Sequence, residues 1–244
     1  MKASRGRRGR AYTLVTHANH YPSRLPEFGV APVVKLVTPR LAPSRIGEYL
    51  VALPPGHGSS RIAPGFETFL YGLEGVATLL ADERELDLSA GAYVYVPADH
   101  AFEVFAGERP ARLLMVKRRY EAAPGHDAPG LRAGHRDDEP FADTPVLGFR
   151  RRELLPVDDP AFDFAMSLLS FDSGVGLDNI EVHDEEHGLY MTAGAGLYYL
   201  DGDLLEVERG DFIYMAPYCP QGFTATGHEP AEYLLYKDTW RDGF

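Results

Sequence analysis

The chain has 244 residues, 45% of them hydrophobic, 11% aromatic and 25% charged, which is the profile of a globular protein and excludes a disordered or collagen-like one. Its 36 Asp and Glu against 24 Lys and Arg leave a net charge of −12, which repels nucleic acid and anionic lipid from most of the surface. No apolar run reaches the roughly 18 residues of a spanning helix, since residues 92–105 are interrupted by Pro97, Asp99, His100 and Glu103.

Residues 1–10 depart from the acidic balance. Lys2, Arg5, Arg7, Arg8 and Arg10 form a basic arm with no apolar segment behind it. It is predicted to be a solvated, disordered arm rather than a secretory signal or a nucleic-acid tail. The single cysteine, Cys219, can form no intramolecular disulfide, so nothing asks for an oxidising compartment and a cytoplasmic protein is expected.

Residues 11–120 are predicted to be the first of two similar halves. Short runs rich in Val, Leu, Tyr and Phe, as at 78–80, 93–96 and 113–116, are punctuated by Gly, Asp or Pro every eight to twelve residues. That spacing reads as antiparallel strands in a sandwich or barrel, and 19 prolines with 25 glycines suit its turns. Residues 121–140 carry Pro124, Gly125, Pro129, Gly130, Gly134 and the acidic run Asp137, Asp138, Glu139, and read as a linker. Residues 141–244 then repeat the first half. Leu70, Tyr71 and Gly75 recur as Leu189, Tyr190 and Gly194, and Gly91 and Tyr95 as Gly210 and Tyr214, each displaced by 119 positions.

The second half carries Glu181-x-His183-x3-His187-x6-Gly194, then Gly210 and, eleven residues later, Gln221. On a strand, residues two apart share a face, so Glu181 and His183 can converge inward, and a turn past Glu185 can bring in His187. One carboxylate, two imidazoles and an amide oxygen suit a divalent transition metal with positions left open for substrate. Shifted by 119, the same positions of the first half hold Ile62, Pro64, Thr68 and Phe102, so the first half is expected to bind no metal.

This pattern resembles the cupins, whose motifs run Gly-x5-His-x-His-x3 or 4-Glu-x6-Gly and Gly-x5-Pro-x-Gly-x2-His. The spacing fits, while the ligand types are permuted: Glu181 takes the first His position, His187 the Glu position and Gln221 the last His position. Val175, Ala216 and Tyr218 also depart from the motifs. The resemblance implies an all-β bicupin, with two tandem double-stranded β-helix (jelly-roll) barrels and the chemistry in the second.

A bicupin carrying Glu, His, His and Gln there is similar to the (S)-ureidoglycine aminohydrolases, and the resemblance runs over about residues 10–242. Supporting stretches are Phe66-Glu-Thr-Phe-Leu-Tyr71, Lys117-Arg-Arg-Tyr120, Glu186-His-Gly188, Gly210-Asp211 and Tyr236-Lys-Asp238. It implies one manganese ion in the second cupin, with a pocket completed by Tyr198, Tyr233 and Lys237, and a ureide as substrate. Tyr233, Leu235 and Lys237 share strand parity, whereas Tyr198 alternates with Tyr199 and it is the resemblance that chooses Tyr198. Lys237 is expected to meet Glu181 or the substrate carboxylate. A homo-oligomer is expected; nucleic acid, membrane and nucleotide cofactors are not, since no GxGxxG or GxxxxGK[ST] pattern is present. The other readings are a metal-dependent cupin oxygenase or decarboxylase, and a non-catalytic small-molecule-binding bicupin. His57, His100 and Cys219 are expected to play no part in metal binding.

Overall fold

Short strands with alternating apolar residues pair antiparallel in every ladder among the described residues, 4–239, of this computed structural model. Lys2 of the basic arm lies outside the described residues. In chain order the strands begin with β1 (Arg7–Arg8), β2 (Tyr12–Val15), β3 (Pro22–Ser23), β4 (Val33–Val37), β5 (Ile46–Leu53), β6 (Phe66–Glu74) and β7 (Val76–Ala81). They continue with β8 (Arg84–Ser89), β9 (Ala92–Val96), β10 (Phe102–Ala106), β11 (Ala111–Arg119), β12 (Arg132–His135), β13 (Phe141–Ala142) and β14 (Phe149–Leu155). The last are β15 (Phe164–Phe171), β16 (His187–Ala193), β17 (Ala195–Leu200), β18 (Asp203–Glu208), β19 (Phe212–Met215), β20 (Gln221–Ala225) and β21 (Ala231–Asp238). Among the described residues no helix is long and apolar enough to cross a membrane.

These strands form two units. One comprises Tyr21–Asp138, the other Met1–His20 together with Glu139–Phe244. In the first, a seven-stranded sheet (β12-β9-β6-β11-β5-β4-β3) and a three-stranded sheet (β10-β7-β8) contribute to a core that includes Leu70, Leu79, Val94, Val104 and Leu113. In the second, an eight-stranded sheet (β1-β2-β19-β16-β21-β15-β14-β13) and a three-stranded sheet (β18-β17-β20) contribute to a core that includes Leu189, Met191, Leu200, Ile213 and Phe223. Two antiparallel sheets around one core make each unit a jelly-roll barrel, as the cupin resemblance implied.

The repeat survives in backbone detail. The order β9-β6-β11-β5-β4 recurs as β19-β16-β21-β15-β14. Gly75 and Gly194 both adopt φ of 69°. A Cβ there would lie 2.2 Å from the Pro110 carbonyl oxygen in one unit and 2.5 Å from the Pro230 carbonyl oxygen in the other, so only glycine fits.

Two boundary expectations are corrected. The described part of the arm is not disordered: β1 pairs with β2, and β2 adds to the edge of β19. Its arginines find carboxylates of the acidic second half, with Arg5 on Asp211 at 2.7 Å and on Glu208, Arg7 on Asp203 at 2.8 Å and Arg10 on Asp201 at 2.9 Å. Nor are residues 121–140 only a linker, because β12 adds to β9 and the unit boundary falls after Asp138. In both units a terminal segment covers a strand that would otherwise be a bare sheet edge, satisfying its backbone groups.

Asp211 has a fully buried side chain that accepts backbone N–H groups from His17 and Glu208 as well as the Arg5 guanidinium. Arg5→Met leaves the two amides but removes the counter-charge, and the expected loss is about 2 kcal/mol in chemical denaturation. An unchanged unfolding midpoint would show that the Arg5 counter-charge contributes nothing to the stability of the second unit.

Candidate active site

The segment before β16 is irregular, and its position is set by backbone hydrogen bonds rather than by a long strand. Glu181 N–H donates to the Gln221 carbonyl at 2.8 Å, and Gln221 N–H returns to the Glu181 carbonyl at 2.9 Å. Tyr218 N–H donates to the His183 carbonyl at 2.6 Å from a left-handed backbone, φ 61°. Such a conformation is costly for a non-glycine residue and is held here by the turn that leads into β20. Glu181 sits on an isolated bridge and His183 in irregular chain beyond it, and both border one cavity without lying in a regular strand.

The register of the eight-stranded sheet supplies the other side. His187 at the start of β16 lies opposite Lys237 on β21, Leu189 opposite Leu235, and Met191 opposite Tyr233. The sequence alternation of Tyr233, Leu235 and Lys237 is kept, and all three line one cavity. That cavity, about 200 Å³, is also lined by Glu181, His183, His187, Tyr198 and Gln221. It is smaller than the clefts that take drug-sized ligands and suits a compact metabolite. Tyr198 is 3% exposed and Tyr199 partly exposed, so the inward tyrosine is the one the resemblance chose.

Within the cavity His183 Nε2 lies 3.4 Å from Glu181 Oε2, and the His183 and His187 ring centroids are 5.1 Å apart. Tyr198 Oη stands 3.5 Å from Gln221 Oε1. Among the described residues, no three His, Cys, Asp or Glu side chains close into a ready-made metal cage. The fourth member of the set is an amide, and the donors border the cavity rather than a single point. His187 nonetheless has the electronic form of a ligand. Its Nδ1 lies 3.1 Å from the Glu185 carbonyl, which can only accept, so Nδ1 carries the proton and Nε2 keeps its lone pair. Burial, reinforced by the charges of His183 and Lys237, pushes the ring down to about 3 against the opposing pull of that carbonyl.

Phe149 and Tyr233, which line the cavity, are backed by core rings: Phe149 stacks on Phe171 at 4.5 Å, Phe171 meets Phe223 at 5.0 Å, and Phe223 meets Tyr233 edge-on at 5.4 Å. Burial pushes the hydroxyls of Tyr198 and Tyr233 well up, so both stay neutral.

Lys237 corrects an expectation. Its Nζ lies 2.8 Å from Glu185 Oε1, whose side chain is 5% exposed, and not on Glu181. Burial works to raise the Glu185 carboxyl, but the Lys237 hydrogen bond, a backbone hydrogen bond and the lysine charge together hold it below its usual range. Sequence reasoning missed Glu185 because it lies in the irregular segment, where parity gives no guide. It also missed Arg151, on β14, which lines the cavity.

The first unit carries the same bridge with different side chains: Ile62 N–H donates to the Phe102 carbonyl at 2.7 Å, and Phe102 N–H to the Ile62 carbonyl at 3.2 Å. Phe102 and Ile62 belong to or pack against the apolar core there. His57 is exposed and His100 pairs with Asp82 and Asp99. Cys219 is 2% exposed, and burial pushes its thiol up to about 11.

The cupin domain family matches residues 49–117 and again 169–236, one match in each unit. The rice (Oryza sativa subsp. japonica) protein named "Probable (S)-ureidoglycine aminohydrolase" is 34% identical over 96% of this chain and 74% of its own. The Escherichia coli (S)-ureidoglycine aminohydrolase is 33% identical over 95% of this chain and 89% of its own. The crystal structure of the Escherichia coli protein YlbA superimposes with a TM-score of 0.83 at 30% identity, covering 97% of this chain and 96% of that one. The chain belongs to the cupins and, within them, to the (S)-ureidoglycine aminohydrolase family. It thus belongs to a family of enzymes on a fold that generally binds metals.

His187 also fixes a pH dependence of the metal-free protein. Between about pH 3 and 6.5 the unfolded chain binds a proton at this ring that the folded chain does not. Its stabilising contribution is therefore full above pH 6.5 and falls as pH drops, with a slope of up to about 1.4 kcal/mol per pH unit. His187→Gln is expected to give a shallower decline than wild type across this window; parallel curves would contradict the assigned neutral state.

Proposed function

We propose that this chain hydrolyses (S)-ureidoglycine to (S)-ureidoglycolate and ammonia in purine and allantoin catabolism, using one manganese ion in the second unit. The observation that carries the reading is convergence: Glu181, His183, His187, Gln221, Tyr198, Tyr233 and Lys237, separated by up to 56 positions in the sequence, line a single cavity. The donor set fits a divalent cation, because the buried His187 is neutral with Nε2 free of a proton and Glu181 brings a carboxylate beside His183. Glu181, His183, His187 and Gln221 would hold the ion, and hard oxygen donors from the substrate make manganese suitable. When bound it supplies a fixed positive centre for the substrate's oxygens and amine.

The chain's own groups then divide the work. Lys237, aligned by Glu185, presents N–H donors to a substrate oxygen beside His187. Tyr198 and Tyr233, kept neutral by burial, orient the ureido and amino groups as hydrogen-bond donors or acceptors without adding charge. Glu181 is the carboxylate placed to move a proton between water and the departing amine. The C–N bond to that amine breaks, water supplies the new hydroxyl, and ammonia leaves.

Freshly generated (S)-ureidoglycine should release ammonia stoichiometrically with (S)-ureidoglycolate in the presence of the manganese-loaded protein, and no release would overturn the reading. Lys237→Met is expected to lower kcat/KM by about 30-fold or more. It should also cost stability, because it strands Glu185. Adding Glu185→Gln to Lys237→Met should restore the melting temperature but not turnover; recovery of both would show that Lys237 serves only the fold.

A further inference from the structure

The arginine run of β14 separates by parity. Arg150 pairs with Asp172 at 2.5 Å and Arg152 stacks over the Phe141 ring at 4.2 Å, whereas Arg151 lines the cavity. Register places Arg151 opposite Leu169, and Leu169 opposite Tyr233, so Arg151 stands in the row of Tyr233 with one strand between them.

The two cations lining this cavity differ in how the fold engages them. Lys237 closes on Glu185 at 2.8 Å. Arg151 has Glu153 as its nearest carboxylate, at 4.0 Å, the outer limit of an ion pair, and its buried Nε has no hydrogen-bond partner among the described residues. A guanidinium offers paired N–H groups in a planar fork that matches a carboxylate, and Arg151, whose side chain is 40% exposed, borders the cavity. We propose that Arg151 is a specificity-determining residue that receives the carboxylate of the substrate, fixing its orientation so that the amine is presented to Glu181. This rests on (S)-ureidoglycine, which carries one carboxylate, being the substrate.

The test uses the intact manganese-loaded protein and two stable probes: N-carbamoylglycine, which keeps the ureido group and carboxylate but lacks the departing amine, and its neutral primary amide. Calorimetry is expected to show that wild type binds the acid at least about tenfold more tightly than the amide. Arg151→Met should weaken the acid by about 10- to 100-fold, leave the amide and the metal content unchanged, and abolish the preference. Arg151→Lys should recover part of it. With (S)-ureidoglycine the same loss should appear mainly in KM. An Arg151→Met protein that keeps the acid preference overturns the assignment, as does a wild type that releases ammonia yet binds both probes equally. A wild type that releases no ammonia, but whose acid preference vanishes in Arg151→Met, supports the carboxylate anchor and overturns the substrate reading alone.

Discussion

Two reciprocal backbone hydrogen bonds, between Glu181 and Gln221, are the constraint on which the candidate site depends. They tie an irregular segment to the first residue of β20, so that a carboxylate and an amide from distant parts of the chain face the same cavity. Tyr218 adds a third bond to His183 through a strained backbone, and the strand that follows carries His187 into register with Lys237. Reciprocal backbone hydrogen bonds satisfy the polar groups of both partners at a fixed spacing, which makes them a suitable frame for side chains that must meet within a few ångströms.

The other unit shows what the frame does without the chemistry. Ile62 and Phe102 make the same pair of backbone bonds, and their side chains join an apolar core instead of bordering a polar cavity. Duplication thus preserved the scaffold while the inward positions took opposite roles. Apolar filling in one barrel stabilises it by burial, whereas the other keeps polar donors whose desolvation has to be offset by ligand or by neighbours such as Glu185.

Much of this was legible in the sequence because it depends on spacing. The repeat of 119 positions fixes both barrels, and period-2 alternation identifies Tyr233, Leu235 and Lys237 as one face. What escaped depends on partners remote in sequence or on irregular backbone. The arm looked disordered because Arg5 is 206 positions from Asp211, and no local pattern reports a charge supplied by the far end of the chain. Residues 121–140 looked like a linker because their prolines and glycines mask the four residues of β12. Glu185 was not among the partners expected for Lys237 (Glu181 or the substrate carboxylate), because it precedes β16 in a bend, where alternation fails. Arg151 was hidden in a run of three arginines, of which only the register tells the inward one.

The central claim is that the metal chemistry belongs to the second unit and to the Glu, His, His and Gln set. Titration of the metal-stripped chain with manganese, read by elemental analysis after gel filtration, tests it most directly. The account expects one equivalent per chain, lost when His183 and His187 are both replaced by alanine. Two equivalents, or one that survives the double replacement, would contradict it.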